Sequence, residues 1–317
     1  MSFANTSASP NPMDARMMNQ GFLNLVKEGP DGVKQAATGI NEDIILTTLR
    51  EDGIARRVMP FAPITADQLV VDINNPDVPM TTVPVEPSFG EYIAMAVDYM
   101  QASKDLWFRT QVAPVYFKPI KTKTLKMHEA QLLASPFPIK TFIESVARND
   151  MLAVEDHFLI GAIERCVAKY AATNNISSLG TLDKDHIADA TQAMVNNRLS
   201  AEMILVNEVT YLDILRWKSD TYGSHVVKDL VDFGPKGEAL KYKSWMGFRW
   251  ILTNNQDIIA KDTLYYLPSL KYLGIAYMLA DAEQWIEYRD GVLSTNTREI
   301  IGRNLVNARA PIKQNLT

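Results

Sequence analysis

From Ile139 onward the apolar residues return every three or four positions: Ile139, Phe142, Ile143, Val146, Met151, Val154, Phe158, Leu159, Ile163, Cys166, Val167 and Tyr170. That period predicts one broad apolar stripe on an amphipathic helix of about nine turns, roughly 50 Å long if unbroken to Tyr170. Ser135 is placed to cap it, and Pro136 or Pro138 fits its first turn, where a missing N–H costs nothing. Asn149-Asp150 and Gly161 are where it would loosen or kink, glycine costing about 1 kcal/mol against alanine.

On either side the pattern changes. Residues 1–18, rich in Ser, Asn, Pro and Met, lack sustained periodicity and predict an extended or mobile arm. Short helical patterns then alternate with glycine breaks, with Asn41-Glu42-Asp43 starting one short helix. Over 66–116 extended segments are joined by breakers. Pro76, Pro79, Pro84 and Pro87 disfavour both helix and central strand, which predicts a projecting hairpin or loop flanked by strands at 68–71 and 107–116. Residues 91–100 read as extended or helical. Beyond a polar break at 173–181 the rhythm becomes α/β. Asp183 caps a helix holding Ile187, Met194 and Val195, 203–206 is a buried strand, and 209–217 is a further helix. Strands follow at 247–253 and around 264–267. Residues 274–288 fit strands or a helix, and 298–306 end in a strand-like run.

Composition narrows this picture without specifying chemistry. The 317 residues suffice for one large core or two modest domains. Apolar content of 47% and aromatic content of 9% predict a folded chain. A net charge of -5 argues against wholesale nucleic-acid binding but leaves local basic surfaces open. A single cysteine, Cys166, excludes an internal disulfide and reads as packing within the helix stripe. No secretion-signal core and no apolar run of about eighteen residues is found, which predicts no membrane span and a soluble product or particle.

Residues 109–127 carry Arg109, Lys118, Lys121, Lys123 and Lys126 with no acid, and the tail carries Arg298, Arg303, Arg309 and Lys313 against Glu299. A strand would put Lys121 and Lys123 on one face, as a solvated surface, an intersubunit ionic contact or a phosphate contact. Trp107, Phe108, Tyr116 and Phe117 read as core or interface anchors rather than base-stacking platforms. Glu155 and Asp156 beside His157 point about 100° apart on a helix, which favours a helix-surface or intersubunit salt link over acid–base catalysis. His128, His157, His186 and His225 lack ligand spacing. Gly234-Pro235-Lys236-Gly237 reads as a turn and not as a phosphate loop. No catalytic, cofactor or metal set is expected.

The landmarks, in this order, resemble a tailed-phage major capsid protein of the HK97-like fold. The resemblance runs from about residue 65 to the end and is strongest at PIKTKTLKMHEAQLLASPFPIKTFIESVARNDMLAVEDHFLIGAIERC, with Glu155, Asp156, Phe158 and Leu159 matching an acidic pair within the family's spine helix. AEMILVNEVTYLDIL and WIEYRDGVLSTNTREIIGRNLVNARAP resemble later passages of that fold. The resemblance implies an α+β chain: an N-terminal arm at 1–64, an extended loop at 65–116, a peripheral domain with the spine helix at 117–173, an axial domain at 174–288, and a return to the peripheral domain at 289–317. It implies a structural, self-assembling subunit of an icosahedral shell around double-stranded DNA, built of pentamers and hexamers, in the virion after assembly in the host cytoplasm. Portal, scaffolding or decoration proteins, and non-specific proximity to DNA, follow as partners; a membrane and cofactors do not. Candidate intersubunit contacts are Trp107, Arg109, Lys118, Lys121, Lys123, Lys126, Glu155, Asp156, Arg298 and Arg303. A nanocompartment shell enclosing cargo enzymes is the nearest alternative, and an α/β enzyme built on 174–288 is the alternative of another class.

Overall fold

The computed structural model describes residues 12–40, 53–72, 75–85, 111–216, 244–245 and 247–317. In chain order its helices are α1 (Pro12–Lys27), α2 (Pro30–Ile40), α3 (Ile54–Val58), α4 (Glu129–Ala134), α5 (Ile139–Lys169), α6 (Ala171–Asn174), α7 (Lys184–Asn196), α8 (Glu208–Tyr211) and α9 (Leu270–Leu273). The strands are β1 (Phe61–Pro63), β2 (Val70–Asp72), β3 (Asn75–Val85), β4 (Gln111–Lys121), β5 (Leu125–His128), β6 (Asn175–Ser178), β7 (Met203–Asn207), β8 (Ser244–Trp245), β9 (Phe248–Thr253), β10 (Thr263–Leu267), β11 (Ile275–Arg289), β12 (Val292–Asn304) and β13 (Ile312–Leu316). The larger sheet runs β1-β11-β12-β4-β3-β2 with β5 also on β12; the smaller runs β6-β13-β10-β7-β9-β8. The class is mixed α+β.

α5 passes unbroken through Asn149-Asp150 and Gly161 for 31 residues, about 46 Å. Its buried face includes a four-residue ladder: Ile139, Ile143, Ala147, Met151, Glu155, Leu159, Ile163 and Val167. Four residues advance about 400°, so the ladder drifts about 40° per step and the two ends of the helix bury different faces. The first half packs with α1, α2 and the large sheet through Ile120, Ala282, Ile286, Leu293 and Ile301. The second half packs with α3 and one face of the small sheet, Met203, Leu205, Ile251, Tyr265 and Leu267. α7 covers the other face through Ile187, Ala190 and Met194. Coverage on both sides explains why β7 and β10 are buried at every position. Phe142 and Val154, expected on the stripe, lie off the drifting ladder and are exposed.

The start of α5 departs from expectation. Ser135 Oγ accepts from Phe137 N–H at 3.2 Å instead of capping the helix. The cap comes from a distant element: Asn19 Oδ1 accepts from Ile139 N–H at 2.8 Å, while its Nδ2 donates to the carbonyls of Leu132 (3.1 Å) and Phe137 (2.9 Å). Residues 12–18 likewise open α1 and are not an extended arm, because α1 buries Ala15, Phe22, Leu23 and Val26 along one face.

Residues 275–289, legible as strand or helix, form β11, paired with β12 from Ile275↔Asn304 to Arg289↔Val292. Asp290 and Gly291 turn the hairpin with φ of 52° and 77°, the left-handed pair of a type I′ turn. The expected boundary at 288–289 therefore falls inside a hairpin of the larger sheet, since hairpin partners share a sheet. The last strand, β13, pairs with β10 and β6 in the smaller sheet and so lies outside the expected peripheral return.

Candidate functional site

β4 belongs to two neighbourhoods. Phe117 to Lys121 lie beside β12 in the large sheet, whereas Gln111 to Tyr116 pair with β3. A ribbon therefore leaves the sheet between Tyr116 and Phe117. At its root, Gly302 lets β4 approach closely: a Cβ there would lie 3.0 Å from the Phe117 ring and 3.1 Å from the Tyr116 carbonyl. Among the described residues β3 pairs with β2 only up to Met80 and with β4 only from Met80 on. Pro76, Pro79 and Pro84 thus stand within a strand, but not a central one: at each of them one edge is unpaired among the described residues and a missing donor is tolerated. The ribbon exposes Val70, Val112 and Tyr116.

The basic candidates of this region are all exposed: Lys118, Lys121, Lys123 and Lys126. Lys121 ends β4 and Lys123 sits in the connection to β5, so no single strand carries both. Lys121 is the cross-strand partner of Arg298, which in turn faces Glu283 at 3.8 Å. These three residues form an exposed row across β4, β12 and β11. Trp107 and Arg109 fall outside the described residues.

Glu155 and Asp156 face the chain's own interior. Glu155, fully enclosed, accepts a fork from Arg56, with Nε 3.0 Å from both oxygens and Nη2 2.6 Å from Oε1. Arg56 Nη2 also reaches Glu299 at 3.1 Å, and Nη1 lies 3.5 Å from Asp281. Burial works against the Arg56 charge, yet these carboxylates hold it above its ordinary range. Asp156 accepts from Ala55 N–H at 2.7 Å and is pushed up to about 7 by burial, which outweighs that hydrogen bond. Glu299 is pushed up to about 9 by burial, reinforced by Glu155. Burial lowers Arg303; its Nη1 donates to the Glu155 carbonyl at 3.0 Å.

Aromatic faces extend this junction outward. Arg56 and Arg303 each lie 5.4 Å from the Phe61 ring, and Arg303 and Lys118 each lie 5.6 Å from that of Phe158. Lys118 therefore ends a stack of alternating cations and rings running from the ribbon root to the buried carboxylates. Each such contact contributes about 0.5–2 kcal/mol.

Among the described residues no group of three or more His, Cys, Asp or Glu is arranged to hold a metal ion, and no helix is long and apolar enough to cross a membrane. His128 and His186 take part in capping boxes at the starts of α4 and α7, His157 is exposed, and Cys166 is half-buried. His225 and 234–237 lie outside the described residues.

No protein-family model matches the sequence, and no curated protein matches it. Solved structures do. One from Gordonia phage Cozz aligns with a TM-score of 0.54 at 14% identity, covering 84% of this chain and 87% of that one. One from Mycobacterium phage Ogopogo gives 0.52 at 9% identity over 84% and 92%. The capsid asymmetric unit of Cyanophage Pam1 gives 0.52 at 8% identity over 76% and 84%. The chain shares the fold of these phage structures, one of them a capsid asymmetric unit.

Within this fold, sequence reasoning found the acidic pair of α5 but missed its partners. Arg56 and Arg57 lie in a five-residue helix with no exposed position. A signal was present: two arginines bracketed by Ile54, Ala55, Val58 and Met59 are a charge embedded in an apolar run. Glu299 carried another, as an acid alternating with Thr297 and Ile301 on the inner face of β12.

Proposed function

We propose that this chain is a structural shell subunit that assembles with copies of itself into the capsid of a tailed phage. The observation that carries the reading is the ribbon of β2, β3 and β4 on a fold shared with a phage capsid: strands whose edges are unpaired among the described residues, with exposed Val70, Val112 and Tyr116, gain partners when a neighbour covers them. Apolar cover of this kind contributes about 25 cal/mol per Å2, offset by association costs, and repetition over many weak contacts stabilises a particle. In this reading the larger sheet with α5 is the peripheral domain, the smaller sheet with α7 the axial domain, and the ribbon the extended loop. The exposed row Lys121, Arg298 and Glu283, with Lys118, Lys123 and Lys126, supplies intersubunit contacts. DNA is the enclosed cargo, and portal, scaffolding or decoration proteins complete the virion.

Electron microscopy and sedimentation of the purified full-length chain test this. Closed shells of pentamers and hexamers are expected; monomers alone across protein and salt concentrations would overturn the reading.

A further inference from the structure

Three carboxylates converge on one guanidinium. Glu155 and Glu299, both fully enclosed, meet Arg56 Nη2 at 2.6 and 3.1 Å, and Asp281 stands 3.5 Å from Nη1. The other charged groups around them are Asp156 on α5, Arg303 on β12, and Arg57 next to Arg56 in α3. Glu299 accepts from Arg56 through Oε2, whereas among the described residues its buried Oε1 has no donor in reach. An ionised Glu299 leaves Oε1 a buried acceptor without a donor and sets its carboxylate within side-chain hydrogen-bond reach of Glu155, disfavoured by desolvation and by repulsion together. A proton on Glu299 relieves both costs, since the carboxyl becomes neutral and a donor to the Glu155 carboxylate.

We propose that Glu299 is carried as a neutral carboxylic acid whose O–H donates to Glu155, and that this proton latches α3 onto α5 and β12, so that alkali undocks α3. The upward push on Glu299, to about 9 from burial and then Glu155, agrees with this geometry. When α3 leaves, water reaches Glu299, and in this proposal hydration outweighs both the loss of Arg56 and the Glu155 carboxylate that stays beside it, bringing Glu299 down towards its ordinary value near 4.5. Between that value and about 9 the docked state holds one proton more than the undocked state, so docking is strongest in acid and weakens as pH rises. One proton corresponds to about a tenfold rise in the opening constant per pH unit, levelling off above the upper value. Asp156, pushed up to about 7, adds a second proton only below that pH. The window from about 7 to about 9 therefore isolates Glu299.

Amide hydrogen exchange of the full chain, read at Ala55, Arg57 and Met59 as protection factors, tests this across that window. Protection is expected to fall about tenfold per pH unit in the native chain. It is expected to stay level in Glu299→Gln, whose amide keeps the shape and supplies a neutral donor. Equal slopes in the two proteins, or a level profile in the native chain, overturn the proposal. If the variant does not fold, infrared spectroscopy of the native chain decides. A protonated-carboxyl C=O band is expected at about pH 8 and is lost by about pH 11; its absence at the lower pH overturns the proposal equally. These measurements read a proton and a helix rather than particle formation, so they succeed or fail independently of the shell reading.

Discussion

Arg56 compensates the Glu155 carboxylate and donates to Glu299, and neither acid has any solvent to fall back on. Arg56→Ala is therefore expected to destabilise the chain by about 3–5 kcal/mol, because it leaves buried charge unpaired. Replacing the whole set, as Arg56→Met with Glu155→Leu and Glu299→Leu, is expected to recover most of that loss, since apolar side chains need no compensation. Denaturant midpoints of the two proteins check this; a triple variant no more stable than Arg56→Ala would falsify it. Asn19 makes a similar point for neutral groups. Its amide serves Ile139 N–H and two carbonyls at once, so Asn19→Ala is expected to cost about 1–3 kcal/mol by the same measurement. At this scale the sequence displayed the acids of α5 and concealed their partners. Glu155 and Arg56 are 99 positions apart, and no local pattern encodes such a pairing.

Among elements, α5 was the most legible, because its period is set by helix geometry and its length by the absence of any strong breaker. The four-residue spacing of its buried ladder also contained the drift that divides it between two cores. β11 was less legible: Gln284 points inward and Trp285 outward, so its alternation of buried and exposed positions does not coincide with alternation of apolar and polar residues. The Asp290-Gly291 turn was the stronger signal for that hairpin. In the ribbon, the prolines argued against a central strand, and β3 is paired on one side at a time, which tolerates them. Val85 and Gln111 are direct partners, so replacing 86–110 with Asn-Gly closes β3 onto β4 with a two-residue turn. That protein is expected to keep its denaturant midpoint within about 1 kcal/mol and to form no closed shells. Shells indistinguishable from the parent's by microscopy would remove 86–110 from assembly.

For the whole molecule, the decisive quantity is what the folded chain leaves uncovered. The row Glu283, Arg298 and Lys121 is solvent-facing, and exposed pairs such as Arg298 with Glu283 contribute about 0–1 kcal/mol within one chain. Lys121→Glu with Arg298→Glu is therefore expected to leave stability within about 0.5 kcal/mol while lowering shell yield at low salt. Sedimentation at low and high salt checks this, and an unchanged yield would assign the row to plain solvation. The order of landmarks along the chain pointed to a fold that the phage structures share. How the strands divide between the two sheets is a matter of distant pairing, and β13 returns to a sheet begun at β6.

The sequence by itself determined the long helix, the buried strands at 203–206 and 264–267, the Asp183 cap and the excursion ahead of the helix. Each depends on contacts or torsions within a few residues, where periodicity and side-chain shape are sufficient. Only the tertiary structure decided that Asn19 caps α5, that Arg56 meets Glu155 and Glu299, and that the ribbon parts from the sheet at Tyr116. Those outcomes depend on which distant surfaces exclude water together, a property of the packed chain that no single segment carries.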